Sequence, residues 1–190
     1  MQELKQRIVA EGKNLGRGIL KIDSILNHQM YPDLMQRMGE EIAREFRDKQ
    51  PTRILTAEVS GIGPALMTGL ALGTPIVYAR KRKPITMTEP VLVESAPSPT
   101  KGGEVLLMVS PEFINPTDRI LIVDDFLASG KTIHALARIV AQAGAELVGV
   151  ATVIEKTFQG GREFLADLDT QIFSLVTITE MTDDSIIFAE

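Results

Sequence analysis

Apolar positions along this chain follow two different periods. Near the N-terminus they recur at helical spacing. Leu4, Ile8 and Val9 share one face of a short helix over residues 2–12, which Gly12 can end. A longer stripe of Leu34, Met35, Met38, Ile42 and Phe46 follows Pro32, a residue suited to the first turn of a helix, and Pro51 stops it. Between the two helices, residues 13–31 have no regular pattern, only small apolar groups such as Ile19-Leu20 and Ile25-Leu26.

From Arg53 onward the pattern is short apolar runs alternating with helical segments. Residues 54–57, 76–79, 106–109, 120–123 and 147–154 read as strands; residues 63–72 and 131–143 read as helices closed by Gly73 and Gly144. Apolar strands alternating with helices predict an α/β fold, a central parallel sheet flanked by helices, with ligands outside the strand carboxyl ends. Residues 81–104 break the alternation with Pro84, Pro90, Pro97 and Pro99, ending in Gly102-Gly103. A segment of that length predicts a mobile lid or binding loop. No repeat or low-complexity tract interrupts the chain. One domain over 1–190 is expected, with residues 1–52 supplying N-terminal helices and a small hood.

Composition narrows the chemistry. Of 190 residues, 44% are hydrophobic and 24% charged, and the net charge of −5 argues against nucleic acid as the default partner. There is no cysteine, which excludes disulfides, thiolate metal sites and cysteine nucleophiles. The N-terminal residues carry mixed charge with no apolar core behind them, and no stretch has the length and apolarity of a bilayer span. A cytoplasmic location is expected.

The chemistry concentrates in thirteen residues, Ile120-Leu121-Ile122-Val123-Asp124-Asp125-Phe126-Leu127-Ala128-Ser129-Gly130-Lys131-Thr132. An apolar strand delivers two carboxylates to its end, small residues allow backbone N–H groups to turn onto an anion, and a helix begins there with its positive dipole end. Hydroxyl-binding carboxylates beside a phosphate cradle describe a receptor for a sugar phosphate. A P-loop is excluded, because it needs glycine where Asp125 stands. The turn Glu58-Val59-Ser60-Gly61-Ile62-Gly63 also joins a strand to a helix, but the dinucleotide fingerprint wants glycine where Leu66 stands. The run Arg80-Lys81-Arg82-Lys83 directly follows a strand; it is either a solvated charge run or a set of anion contacts. Lys156 lies just past the longest apolar strand, on the same side, with Phe158 two residues on. His134, on the helix after the phosphate loop, reads as packing or surface, and nothing marks His28 as a base.

The thirteen residues resemble the signature of the type I phosphoribosyltransferases, which bind 5-phosphoribosyl 1-diphosphate. The resemblance implies that Asp124 and Asp125 meet the ribose hydroxyls as the catalytic pair, and that Ala128, Ser129, Gly130, Lys131 and Thr132 grip the 5′-phosphate. It implies that Glu58, Ser60 and Gly61 hold pyrophosphate, joined by Arg80 and Lys81, often across a dimer interface. With the segments 20–29 and 155–158 included, the likeness covers essentially the whole chain and is nearest to the short bacterial members that act on xanthine. That implies Leu20, Asn27 and Lys156 as base contacts, XMP and pyrophosphate as products, Mg²⁺ accompanying the diphosphate without a dedicated protein metal site, and a homodimer. In one respect the chain departs from the family: residues 95–100 read Ser-Ala-Pro-Ser-Pro-Thr, without the tyrosine usual in the mobile loop. Two alternatives stay open, the same chemistry on guanine or hypoxanthine, and a regulator that only senses the phosphoribosyl diphosphate. Against the regulator, residues 1–52 show no basic recognition helix.

Overall fold

A computed structural model describes residues 1–97, 103–182 and 185–189. In chain order the elements are α1 (Gln2–Glu11), β1 (Lys13–Asn14), β2 (Leu20–Lys21), a π-helical turn at Asp23–Asn27, α2 (Pro32–Phe46), β3 (Arg53–Ala57), α3 (Ile62–Leu72), β4 (Ile76–Ala79), β5 (Leu92–Pro97), β6 (Glu104–Val109), β7 (Arg119–Leu127), α4 (Lys131–Gln142), β8 (Glu146–Lys156), α5 (Gly161–Phe164), β9 (Ile172–Met181) and β10 (Ile186–Phe188).

Six strands form the central sheet in the order β10-β9-β8-β7-β3-β4. All pair in parallel except β10, which runs antiparallel to β9 along the edge. Chain direction across the sheet reverses between the neighbours β3 and β7: β3 leads outward to β4, while β7 leads the other way to β8. A crevice opens at such a switch point beyond the strand ends, because the two following connections diverge to opposite sides.

Strand alternation sorts the apolar residues into two cores. Leu121 and Val123 of β7 face α1, α2 and the Ile22–Leu26 segment, with Leu34, Met38, Ile42 and Phe46 fully buried there. Ile120 and Ile122 face α4 and the β5–β6 hairpin, packed with Ile133, Leu136, Ile139 and Leu107. Successive side chains on a strand point to opposite faces, so one apolar run serves both layers. Burying each of these large side chains stabilises the fold by about 1.5–3 kcal/mol.

Several elements differ from the sequence expectation. Residues 106–109 are a strand, but outside the parallel sheet: β6 pairs antiparallel with β5 in a separate hairpin. Leucine and valine runs of this length suit either sheet, and only the partner strand decides. Part of the 81–104 segment is therefore regular structure; its tip at 98–102 lies outside the described residues. The irregular segment 13–31 contains the small β1–β2 pair and the π-helical turn. Val9, expected on the buried face of α1, is 64% exposed, while Leu4 and Ile8 one turn apart carry that face alone. Strands β9 and β10 and the short α5 carry no sequence expectation. No helix among the described residues is long and apolar enough to cross a membrane.

Candidate functional site

The parallel pairing brings the carboxyl ends of β3, β4, β7 and β8 to one edge, and the residues singled out from sequence, apart from Leu20 and Asn27 of the N-terminal segment, lie at or just beyond those ends. β7 runs four residues beyond the expected apolar stretch, so Asp124 and Asp125 are its own strand residues. Asp124 is buried, opposite Thr152 of β8, and its Oδ1 accepts the Asp125 N–H at 3.0 Å. Burial, and after it the adjacent Asp125 carboxylate, push the Asp124 carboxyl well above its ordinary value; the Lys81 ammonium opposes them. Asp125 is half-buried and its Oδ1 accepts the Phe126 N–H at 3.0 Å.

The turn after β3 packs directly on this pair. A Cβ at Gly61 would lie 2.8 Å from Asp124 Oδ1 and 2.2 Å from Thr56 Oγ1, so only glycine lets the two segments meet. Thr56 is fully buried, and among the described residues its hydroxyl has no hydrogen-bond partner. The Glu58–Val59 peptide is cis. Ser60 lies between Glu58 and Gly61, in the same turn. The Glu58 carboxylate joins this turn to the basic run: Oε1 accepts the Lys81 N–H at 2.6 Å, and Oε2 pairs with Arg80 Nε at 2.9 Å. Arg80 is further held by two backbone hydrogen bonds to Met108 and lies over the Tyr78 ring. The structure thus brings Glu58, Arg80, Lys81, Gly61 and Asp124 together. It leaves Arg82 and Lys83 on the exposed loop, Lys83 paired with Glu89.

Ala128 and Ser129 lead from β7 into α4. Gly130, at φ 77°, precedes the helix, and no side chain caps its first turn. The first intrahelical bond is His134 N–H to the Gly130 carbonyl, so the amides of Lys131, Thr132 and Ile133 have no acceptor within the helix. Lys131 is exposed and Thr132 half-buried. The loop is seated on Gly160-Gly161, which follow Lys156 in the segment singled out from sequence but were given no role there. A Cβ at Gly161 would strike the Ala128 carbonyl oxygen at 2.2 Å, and one at Gly130 would come within 2.8 Å of the Gly161 carbonyl oxygen. The Gly160-Gly161 doublet was the only available signal.

Lys156 closes β8 and is 8% exposed. Its Nζ donates to the Gly18 carbonyl at 2.7 Å and lies 5.1 Å from the Phe126 ring centre. Burial lowers its proton affinity, against the pull of the Asp125 carboxylate. Gln159 Nε2 donates to the same Gly18 carbonyl at 3.2 Å. Leu20, at the head of β2, is buried two residues from that anchor. Asn27 ends the π-helical turn with its side chain exposed, and among the described residues no hydrogen bond joins it to Lys156. Phe158 is exposed. His134 bonds Asp167 at 3.0 Å and packs against Phe164, in keeping with a packing role.

Carboxylates, an amide cradle and a cationic arm around one switch-point crevice are the features of a site for a phosphorylated sugar carrying a second anion. The description of the phosphoribosyl transferase domain matches residues 21–181. The chain belongs to the phosphoribosyl transferase family. It is 46% identical over 190 residues to a xanthine phosphoribosyltransferase of Deinococcus deserti, covering all of this chain and 98% of that protein. It is 47% identical over 193 residues to a xanthine phosphoribosyltransferase of Pseudomonas entomophila, covering the whole of both. The crystal structure of adenine phosphoribosyltransferase from Thermoanaerobacter pseudethanolicus superposes with a TM-score of 0.76 at 24% identity, over 93% of this chain and 98% of that one, which shows the shared fold.

Proposed function

We propose that this protein transfers the phosphoribosyl group of 5-phosphoribosyl 1-diphosphate to xanthine, giving XMP and pyrophosphate for purine salvage in the cytoplasm. The observation that carries this reading is the near-half identity, over the entire chain, to relatives named for that reaction. In the reaction N9 of the base forms a bond to C1′ as the bond from C1′ to the diphosphate oxygen breaks. The proton on N9 passes to solvent or to a neighbouring base, and no protein nucleophile is required. The transition state is oxocarbenium-like, by analogy with other glycosyl transfers.

Asp124 and Asp125 orient the ribose. Ala128, Ser129, Gly130, Lys131 and Thr132 hold the 5′-phosphate through free amides, hydroxyls and a cation. Ser60, Gly61, Arg80 and Lys81 meet the pyrophosphate. Glu58 is expected from the resemblance to share that task, but both its carboxylate oxygens are engaged, so its part is to hold Arg80 and Lys81 toward the anion. Lys156 and Asn27 donate to the ring carbonyls of the base, and Leu20 covers its plane. Holding both reactants in register and stabilising the departing diphosphate supply the acceleration.

Among the described residues no cluster of three acidic or histidine side chains is built to hold a metal alone. Two adjacent carboxylates, Asp124 and Asp125, suit an ion that keeps most of its shell from substrate oxygens and water, as Mg²⁺ does. When bound, Mg²⁺ neutralises charge on the diphosphate. The chain acts as one domain with residues 1–52 as its hood, and as a homodimer. Exposed Val59, Leu66, Leu70 and Tyr78 lie on α3, the loop before it and β4, next to the pyrophosphate segment. Pyrophosphate release measured across xanthine, guanine, hypoxanthine and adenine tests the reading. Xanthine should give the highest kcat/KM. A faster guanine or hypoxanthine rate moves the base assignment, and no turnover of any base points to a ligand sensor.

A further inference from the structure

The two halves of the site share one support. The turn Thr157–Gln159 and the start of α5 run from Lys156 on the base side to Gly161 on the phosphate side. Gln159 and Lys156 both hold the Gly18 carbonyl of the hood. Gly161 lies against the Ala128 carbonyl, and Gly130 against the Gly161 carbonyl, too closely for any side chain to intervene.

Behind this turn sits an ion pair, buried at its carboxylate and exposed at its guanidinium, that the mechanism above does not use. Glu155, only 2% exposed, points away from Lys156 by strand alternation. Arg162 grips it with two bonds, Nε to Oε1 at 2.8 Å and Nη2 to Oε2 at 2.5 Å, and adds a third from Nη1 to the Ile172 carbonyl at 3.0 Å. Ser174 donates to Glu155 at 2.9 Å and is itself paired with Thr152. Burial pulls the Glu155 carboxyl up, but the bonds from Arg162 and Ser174 overcome it and keep the group ionised. A planar guanidinium on two carboxylate oxygens fixes direction as well as distance. The one segment leading from Lys156 to Gly161 is thereby tied at its end to the strand where it begins, and to β9 as well.

We infer that Arg162 is a positioning residue for both substrates: its clamp on Glu155 and Ile172 sets the seat of the phosphate loop and the placement of Lys156 together, through a turn that itself spans the two half-sites. The inference rests on the phosphoribosyl-transfer reading above.

Removing Arg162 alone leaves Glu155 buried without its partner, which costs stability for reasons unrelated to positioning. The decisive variant is therefore the double replacement Glu155→Leu with Arg162→Met. It substitutes apolar volume for the pair and leaves Ser174 still bonded to Thr152. Steady-state kinetics should show KM for both xanthine and 5-phosphoribosyl 1-diphosphate raised roughly tenfold or more, at a melting temperature near that of the parent, since small misplacements of reacting groups cost up to about 100-fold. Arg162→Lys should recover part of both. Unchanged KM values in the double variant would overturn the proposal and leave the pair as structural filling; a rise in the xanthine KM alone would overturn the coupling. If the double variant does not fold, Arg162→Lys assayed well below its own melting point carries the test by the same two constants. Calorimetric binding of 5-phosphoribosyl 1-diphosphate with Mg²⁺, without base, separates this inference from the base assignment. A parent protein that binds it but does not turn over xanthine fails on the base, while weaker binding in the variant still reports the phosphate-side seat.

Discussion

The strand, loop and helix over residues 119–132 and the hood over residues 13–31 serve the same sheet edge but are built by opposite means. The first is continuous regular structure: a nine-residue strand carries the acids, and a twelve-residue helix opens on free amides. Its ligand groups are largely backbone and need only small residues around them. The hood has two two-residue strands and one π-helical turn; Ile22, Ile25 and Leu26 bury it against the sheet, and Lys156 and Gln159 hold its Gly18 carbonyl. Its candidate base contacts are scattered side chains, one buried and one exposed. Under the proposed function, a half built from long regular elements holds the sugar phosphate and a half built from short irregular ones faces the base.

The comparison breaks most visibly at the acids. Asp125→Asn should lower kcat/KM on the order of 100-fold or more, as loss of a preorganised electrostatic group does. Asp124→Asn should lower activity similarly yet raise the melting temperature. The native state binds the Asp124 proton more tightly than the unfolded chain does, so this carboxyl subtracts from stability increasingly as pH rises above the ordinary carboxylate range. The gain from the amide should therefore be clear at neutral pH and vanish below about pH 4. For a chain of this size each kcal/mol recovered is worth about 2–4 °C, readable by thermal melts at several pH values.

Next in size is the rigid seat. Gly161→Ala forces a methyl group onto the Ala128 carbonyl and should raise the KM for 5-phosphoribosyl 1-diphosphate and lower the melting point, by about 1–3 kcal/mol of overpacking. Lys156→Met should raise the xanthine KM roughly 10- to 100-fold, the value of a hydrogen bond from a charged donor at about 1.5–3 kcal/mol, and leave the other KM within about twofold. An equal rise in both constants would mean that the two halves are not separable at this residue. Smallest is Asn27→Ala, where loss of one neutral hydrogen bond of about 0.5–1.5 kcal/mol predicts a few-fold rise in the xanthine KM with no change in melting temperature. An effect larger than that of Lys156→Met would reverse the ranking of the two candidate base contacts.

Much of the anchor was legible in the chain because its logic is local. An apolar run, two acids, small residues and a helix start are neighbours in sequence, and the alternation from Arg53 onward announced the parallel sheet. Legibility failed where a partner distant in sequence decides. Residues 106–109 read correctly as a strand, yet nothing in them says that the partner is β5 and not the central sheet. Glu58 carries no mark of its bonds to Arg80 and Lys81, 22 and 23 residues on. Glu155 and Arg162 look like ordinary surface charges until β9 brings Ser174 and the Ile172 carbonyl beside them.

Sequence alone determined the α/β class, the alternation of β3, α3, β4, β7, α4 and β8, and the make-up of the 120–132 motif, since periodicity and turn chemistry act over a few residues. The tertiary structure decided the strand order with its switch point between β3 and β7, the close approach of Gly61 to Asp124, and the fastening of the hood by Lys156 and Gln159 to Gly18. Those are contacts between segments far apart in the chain, set by which faces bury each other and not by any local preference.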